Sequence, residues 1–361
     1  MSVSLLPARA NRSTSAQATV GLDLTGLGVN PSSDGFSADL PVEKADLARL
    51  ASYTRTAHQN GVSFVSLGEQ FRLRSDRAVR RDSWLDPVVA ARRISPHAGA
   101  AGLVTSVPAS GADLSLVAGE LAQITHTNGT WAGLQLAHHG GDTDALARTL
   151  TGVTRSLAGT RARAAKVPAP RVVVPVGTDS EVELAGAHAD VVRIRETDLE
   201  WARELRYAVR AAARAAGREN VRVLVDLHTV ISADRDSAEA RAELVAAIAG
   251  DAAPWQGALT AHGTATDVAD LIQTWIQAGA ADGFVVLPGS LPADVVGLLR
   301  GVLPELRSRG LVGAQTVADS PSVRRTAATT GAASTARPAT STAARPAAAR
   351  RAGALAAVTV A

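Results

Sequence analysis

AGAADGFVVLPGSLPADVVGLLRGVLPELRSRGLV, residues Ala278–Val312, reads as one strand followed by one helix. Gly283–Leu287 is a short continuous apolar run, Pro288-Gly289 a tight turn, and Pro292–Ser308 a helix. Pro292 stands in the first turn, where its missing N–H removes no intrahelical bond and its fixed φ suits the helix. Val295, Val296, Leu298, Leu299, Val302 and Leu306 fall on or beside one helical face. Arg307 and Arg309 sit where the helix dipole favours cations, and Gly310 is a natural stop. A buried strand feeding an amphipathic helix is one βα unit, and the fold depends on how many such units the chain contains.

Upstream the same alternation recurs. Apolar strand-like runs occur at Thr19–Leu24, Ser63–Leu67, Gly102–Val107, Trp131–Leu136, Arg171–Val176, Asp190–Ile194 and Val221–Thr229. Helical spacing separates them at Glu43–His58, Leu85–Ile94, Ala112–Thr125, Thr143–Leu157, Glu181–His188 and from Asp198 to Ala216, with Asp198 as cap. Two further helical segments, Ser237–Ala249 and Thr266–Ala278, precede the eighth strand at Gly283–Leu287. Pro31 to Pro41 reads as a loop, Glu69 to Arg81 as a charged loop exposed at the rim, and Ala158–Pro170 as a linker. Strands that are apolar throughout are buried on both faces, as in a parallel sheet wrapped by helices. Eight such units in roughly 300 residues predict an α/β fold of the (β/α)₈ TIM-barrel type. An open dinucleotide-binding sheet would need G-x-G-x-x-G after its first strand, whereas Gly26-Leu27-Gly28 lacks the third glycine.

Composition narrows the function. The 361 residues carry a formal net charge of +3, but six arginines and no acids follow Ser320, so residues 1–320 carry −3. That gives no case for a nucleic-acid-binding barrel. The chain has no cysteine, which excludes disulfides and thiolate chemistry. No run reaches the roughly 18 apolar residues of a membrane span, and the first residues lack a secretory apolar core. The expected organisation is a flexible N-terminus over 1–17, a barrel over 18–318, and a disordered Ala/Thr/Pro/Arg-rich tail over 319–361, in a cytoplasmic protein.

In such a barrel, chemistry sits on loops at the strand C-termini. Gly177-Thr178-Asp179-Ser180 leads from the fifth strand into a helix, with hydroxyls and free N–H groups suited to a phosphate; the same residues also make an ordinary helix cap. His138-His139 follow the fourth strand and offer an acid, a base or a ring contact, or simply a solvated pair. Asp226 and His228 share one face of the seventh strand, as a proton relay, a metal pair or a hydrogen-bonded buried pair. Metal-dependent hydrolysis is not expected, since the early strands carry no His-x-His. Neither lysine, Lys44 nor Lys166, ends a strand as a Schiff base would require.

Three segments carry a family resemblance. Gly263–Val312, Pro175–Val192 (PVGTDSEVELAGAHADVV) and Arg80–Val107 resemble the bacterial luciferase-like flavin-dependent monooxygenases, in the branch of nitrilotriacetate, alkanesulfonate and dibenzothiophene-sulfone monooxygenases. The resemblance implies a barrel binding reduced FMN, or in relatives the deazaflavin F420, and oxidising a small organic substrate with O₂. It also implies a separate flavin reductase as partner and leaves a homo- or hetero-oligomer open. By the same resemblance Gly177 and Thr178 would hold the flavin phosphate, and Thr105 and Ser106 would lie near the ring or ribityl chain. From residue type and position, Asp179 and Ser180 join the cofactor-binding candidates, and His138, His139 and His228 are the catalytic candidates. The chain departs from the family at Val107-Pro108-Ala109-Ser110-Gly111 and at His126-Thr127-Asn128-Gly129-Thr130, and its insertion after the fourth strand is short. These departures keep a second expectation alongside the first: a barrel of this family that binds flavin weakly and serves as a partner subunit.

Overall fold

A computed structural model describes residues 17–29, 44–74, 82–128, 130–137, 143–163, 170–250 and 253–313. Nine strands are present in these residues: β1 (Thr19–Asp23), β2 (Phe64–Leu67), β3 (Gly102–Pro108), β4 (Ala132–Ala137), β5 (Arg171–Val176), β6 (Val191–Ile194), β7 (Arg222–Ile231), β8 (Leu259–Gly263) and β9 (Gly283–Pro288). Every pairing among them is parallel. β1 to β7 pair in sequence order, β7 pairs with β9, and β9 returns to β1 with Val20 opposite Phe284. Eight strands thus close the (β/α)₈ barrel that the alternation predicts.

The ninth strand was not expected. β7 is ten residues long, and its two halves have different neighbours on one edge. Residues 222–225 pair with β6, while residues 227–231 pair with β8, from Leu227↔Leu259 to Ile231↔Gly263. LTAHG is short and has an exposed Thr260, so it lacks the apolar run that marks the other strands.

Among the described residues ten α-helices surround the barrel: α1 (Leu47–Gln59), α2 (Asp86–Ile94), α3 (Leu114–Asn128), α4 (Thr143–Arg163), α5 (Asp179–His188), α6 (Leu199–Ala215), α7 (Arg235–Ala249), α8 (Ala265–Gln277), α9 (Ala293–Gly297) and α10 (Leu303–Ser308). None is long and apolar enough to cross a membrane. Their starts follow local chemistry: Asp46, Asp198 and Asp234 each accept a backbone N–H three residues on, at 2.8–2.9 Å. α4 runs to Arg163, into the stretch expected to be a linker, because its Ala- and Arg-rich sequence sustains a helix. The loop after β2 is only partly a solvated rim, for Phe71 is fully buried under Gly28 and the backbone pairs at Val29 N to Arg72 O, 2.9 Å. The expected closing helix is α9 and α10 joined by a π turn, Leu298–Val302. Pro304 cannot donate to the carbonyl four residues back, and the widened turn absorbs that gap. Val296 points outward, while the other five apolar residues of that face are buried. Expectations for residues 1–16, the Pro31 to Pro41 loop and the tail from 319 lie outside the described residues.

The barrel interior changes character along each strand. At the N-terminal end Phe64, Val104, Val173, Val191, Leu224 and Val285 form an apolar plug with Trp131 packed on it. Gly21 and Gly102 make room for it: a Cβ on either would overlap the ring of Phe64 or Trp131. Two residues further along, on the same inward side, the plug gives way to Asp23, Ser66, Ser106, Gln135, Arg193 and Asp226. Below the plug, Asp282 ties β9 to β7 and α6 by accepting from Val223 N, Arg206 and Arg210. The apolar plug therefore supports a polar floor.

Candidate functional site

Above that floor a cavity of about 850 Å³ opens among the C-terminal ends of the strands. That volume lies within the range of small-molecule and cofactor sites. Thr25 follows β1, Gly68 to Gln70 follow β2, Gly177 and Thr178 follow β5, Arg195 follows β6, and the strip Ala253–Gly257 forms one wall.

Arg193 dominates the floor. It is 6% exposed, in the middle of the apolar strand VVRI. Its Nε donates to Asp226 Oδ1 at 2.8 Å, and its Nη1 donates to Gln135 Oε1 at 2.9 Å and Ser66 Oγ at 3.3 Å. Asp23 lies 3.9 Å away. Burial works against the guanidinium charge, but Asp226 and then Asp23 outweigh it and hold the pKa above its ordinary value. Asp226 turns its other oxygen to Arg195 Nε at 3.1 Å, and Arg195 Nη1 donates to Gln256 O at 3.1 Å. The floor is a satisfied network of charges, rigid and expensive to break.

Ser106 shares this floor. Its hydroxyl is buried, borders the cavity and has no protein partner, so it is available to whatever enters. Thr105 is the other half of the expected pair, but neighbouring strand residues face opposite ways and it does not border the cavity.

The turn Gly177-Thr178-Asp179-Ser180 reaches the cavity through its first two residues. Its first two N–H groups are engaged within the chain. The Glu181 carboxylate accepts from Gly177 N at 2.7 Å and from Thr178 N at 3.0 Å, completing a capping box at the start of α5. Thr178 and Ser180 hydroxyls lie 3.2 Å apart. The turn is thus a helix cap whose first two residues also border the cavity.

His228 is elsewhere. It is 2% exposed and lies flat against Trp255, ring centroids 4.2 Å apart, with His262 edge-on at 5.8 Å. Burial, and then His262, push its pKa down to about 4, against a weaker pull from Asp294. It is not among the residues that border the cavity, and Trp255 stands over it. Asp226 gives both oxygens to arginines, and neither ring nitrogen of His228 has a hydrogen-bond partner, so the two are not joined. Among the described residues no three acidic, histidine or cysteine side chains converge as a metal site. His138 and His139 lie outside the described residues.

Reading the strand ends missed Gln135, Arg193, Glu181 and Gln256. The signal for Arg193 was present, because an arginine inside an otherwise apolar strand is rarely buried without a partner.

No family model matches the sequence, and no curated protein matches it. Solved structures do share the fold. EDTA monooxygenase from Chelativorans sp. BNC1 aligns over 82% of this chain and 95% of its own, at 19% identity and a TM-score of 0.62. A riboflavin lyase, solved with modified FMN and riboflavin, aligns over 82% and 93%, at 16% identity and a TM-score of 0.61. The F420-dependent tetrahydromethanopterin reductase from Methanopyrus kandleri aligns over 80% and 99%, at 13% identity and a TM-score of 0.56. At these identities the likeness establishes a common barrel architecture.

Proposed function

We propose that this chain is a flavin-dependent oxidoreductase of the luciferase-like kind, a monooxygenase that uses reduced FMN and O₂ on a small organic substrate. The observation that carries the reading is the cavity of about 850 Å³ at the strand C-termini of a barrel shared, over most of its length, with EDTA monooxygenase. The residues fit a flavin ring better than a flavin phosphate. Ser106 brings a buried, unpartnered hydroxyl, and Gln135 and Arg193 bring fixed polar groups to the same floor, suited to the hydrogen-bonding edge of a heteroaromatic ring. The turn at Gly177 and Thr178, which by the family resemblance would face the phosphate end, has its first two N–H groups on the Glu181 carboxylate.

A bound reduced flavin supplies two electrons and, with O₂, the oxidising equivalent. The chain's own contribution is binding and shielding. The Arg193–Asp226 network holds the floor rigid, and the strip Ala253–Gly257, held through Gln256 O and Trp255, walls the cavity on one side. A separate reductase is the expected source of reduced flavin.

Glu181 also favours a second reading, a barrel that binds flavin weakly and acts as a partner subunit. Anaerobic titration of the purified protein with reduced FMN and reduced F420, followed by O₂ uptake with candidate substrates, separates the readings. Saturable FMN binding with substrate-dependent O₂ uptake supports the monooxygenase. Binding of F420 alone moves the chain to hydride transfer, and no binding of either sinks both enzymatic readings.

A further inference from the structure

We propose that the N-terminal mouth of the barrel is an oxyanion site, in which Arg171 and Arg222 hold a phosphate or a phosphomonoester beside Trp131. The site lies at the opposite end of the strands from the cavity and does not rest on the flavin reading.

The strand period brings the two arginines together. Two residues before the apolar plug, on the same inward side, Val173 is preceded by Arg171 on β5 and Leu224 by Arg222 on β7. Thr19 and Gly102 stand in the same layer, and the Trp131 ring fills the space that Gly102 leaves open. The Arg171 guanidinium lies 4.1 Å from the centre of that ring, and Arg222 Nη1 donates to the Thr19 hydroxyl. Both arginines are exposed. Among the described residues neither has an ion pair, and the bond to Thr19 is the one hydrogen bond that either guanidinium makes.

The acids beside them are already engaged. Asp190 accepts from Arg218 Nη2 and from Val172 N, each at 2.8 Å. Asp282 accepts from Arg206, Arg210 and Val223 N. Next to Asp190 the Nη1 of Arg218 is buried without a partner, a further unspent donor. Burial pushes the Arg171 pKa down, Asp190 pulls it back, and the nearby Arg222 pushes it down again. Residues 1–16, 164–169 and 314–317, which lead into or out of this end, contain no Asp or Glu, so the adjoining chain brings no side-chain carboxylate to the pair. A guanidinium is a planar fork of donors that matches an oxyanion, and two of them balance one phosphate dianion. Stacking on Trp131 holds one fork in place, which lowers the cost of ordering it on binding.

The test is calorimetric titration at constant ionic strength, with inorganic phosphate and glycerol 3-phosphate as probes and chloride as the balancing anion. The proteins are the wild type, Arg171→Gln, Arg222→Gln and, as a control in the cavity, Arg195→Gln, with circular dichroism confirming each fold. Arg222→Gln keeps a donor for Thr19, so it carries the test should Arg171→Gln not fold. Saturable binding to the wild type and to Arg195→Gln is expected, weakened about tenfold or more in Arg171→Gln and in Arg222→Gln. Tighter binding of inorganic phosphate assigns the site to the free ion, and tighter binding of glycerol 3-phosphate assigns it to a phosphomonoester; either supports it. No saturable binding to the wild type, or an affinity unchanged in the folded Arg171 and Arg222 variants, overturns the proposal. Loss confined to Arg195→Gln places the anion in the cavity and overturns it as well.

Discussion

Trp255 lies on His228 with ring centroids 4.2 Å apart and planes 10° from parallel, so the wall of the cavity is pinned to the barrel strand beneath it. The other pin is Arg195, which donates to Gln256 O. Trp255→Ala removes the first pin. The variant is expected to lose about 1–2 kcal/mol from lost stacking and packing. Faster amide exchange confined to residues 253–258 is the specific mark. Unchanged exchange there would show that the strip is held by other contacts.

The same stack makes stability depend on pH. Folded His228 stays neutral down to about pH 4, whereas the unfolded chain takes up the proton near 6.5. Between those values the unfolded state binds more protons, so stability is complete above about 6.5 and falls as the pH drops towards 4. The loss from this residue approaches ~3 kcal/mol at the bottom of the window. Urea unfolding at pH 7, 5.5 and 4 measures it, and His228→Gln should flatten that part of the profile.

Arg193→Met leaves Asp226 with Arg195 alone and leaves Gln135 and Ser66 without their shared donor. Breaking one side of a buried pair costs about 3–5 kcal/mol. The expected result is a large drop in the denaturation midpoint, partly recovered in the double variant with Asp226→Asn. Additive losses in the double variant would show that the two side chains are not coupled.

Two glycines separate packing from propensity. Gly102→Ala drives a methyl into Trp131 under the plug and is expected to destabilise by about 2 kcal/mol or more. Gly119→Ala lies on an open face of α3 with nothing within 4 Å, and is expected to stabilise by about 0.5–1 kcal/mol. Thermal unfolding of the two should shift in opposite directions.

The barrel was legible because its strands are apolar on both faces, and a run such as RVVVPV has no other comfortable place. β8 was missed for the converse reason: LTAHG presents no such run and earns its pairing only because β7 extends beyond β6. The site was less legible than the fold. Residue type at strand ends found Ser106, Gly177 and Thr178, but not that Glu181 folds back onto the turn, which depends on the rotation of one helix start. His228 was singled out by its chemistry, whereas its surroundings are set by Trp255, far along the chain and in a segment without periodicity.

β8 has a consequence for how this molecule meets others. A fully closed barrel leaves no backbone edge for another chain to pair with, but β8 pairs only with β7 among the described strands. Among the described residues β8 therefore has a margin, five residues long, that pairs with no other strand. Brevity is its protection: five residues offer too few rungs for a stranger's strand to grip.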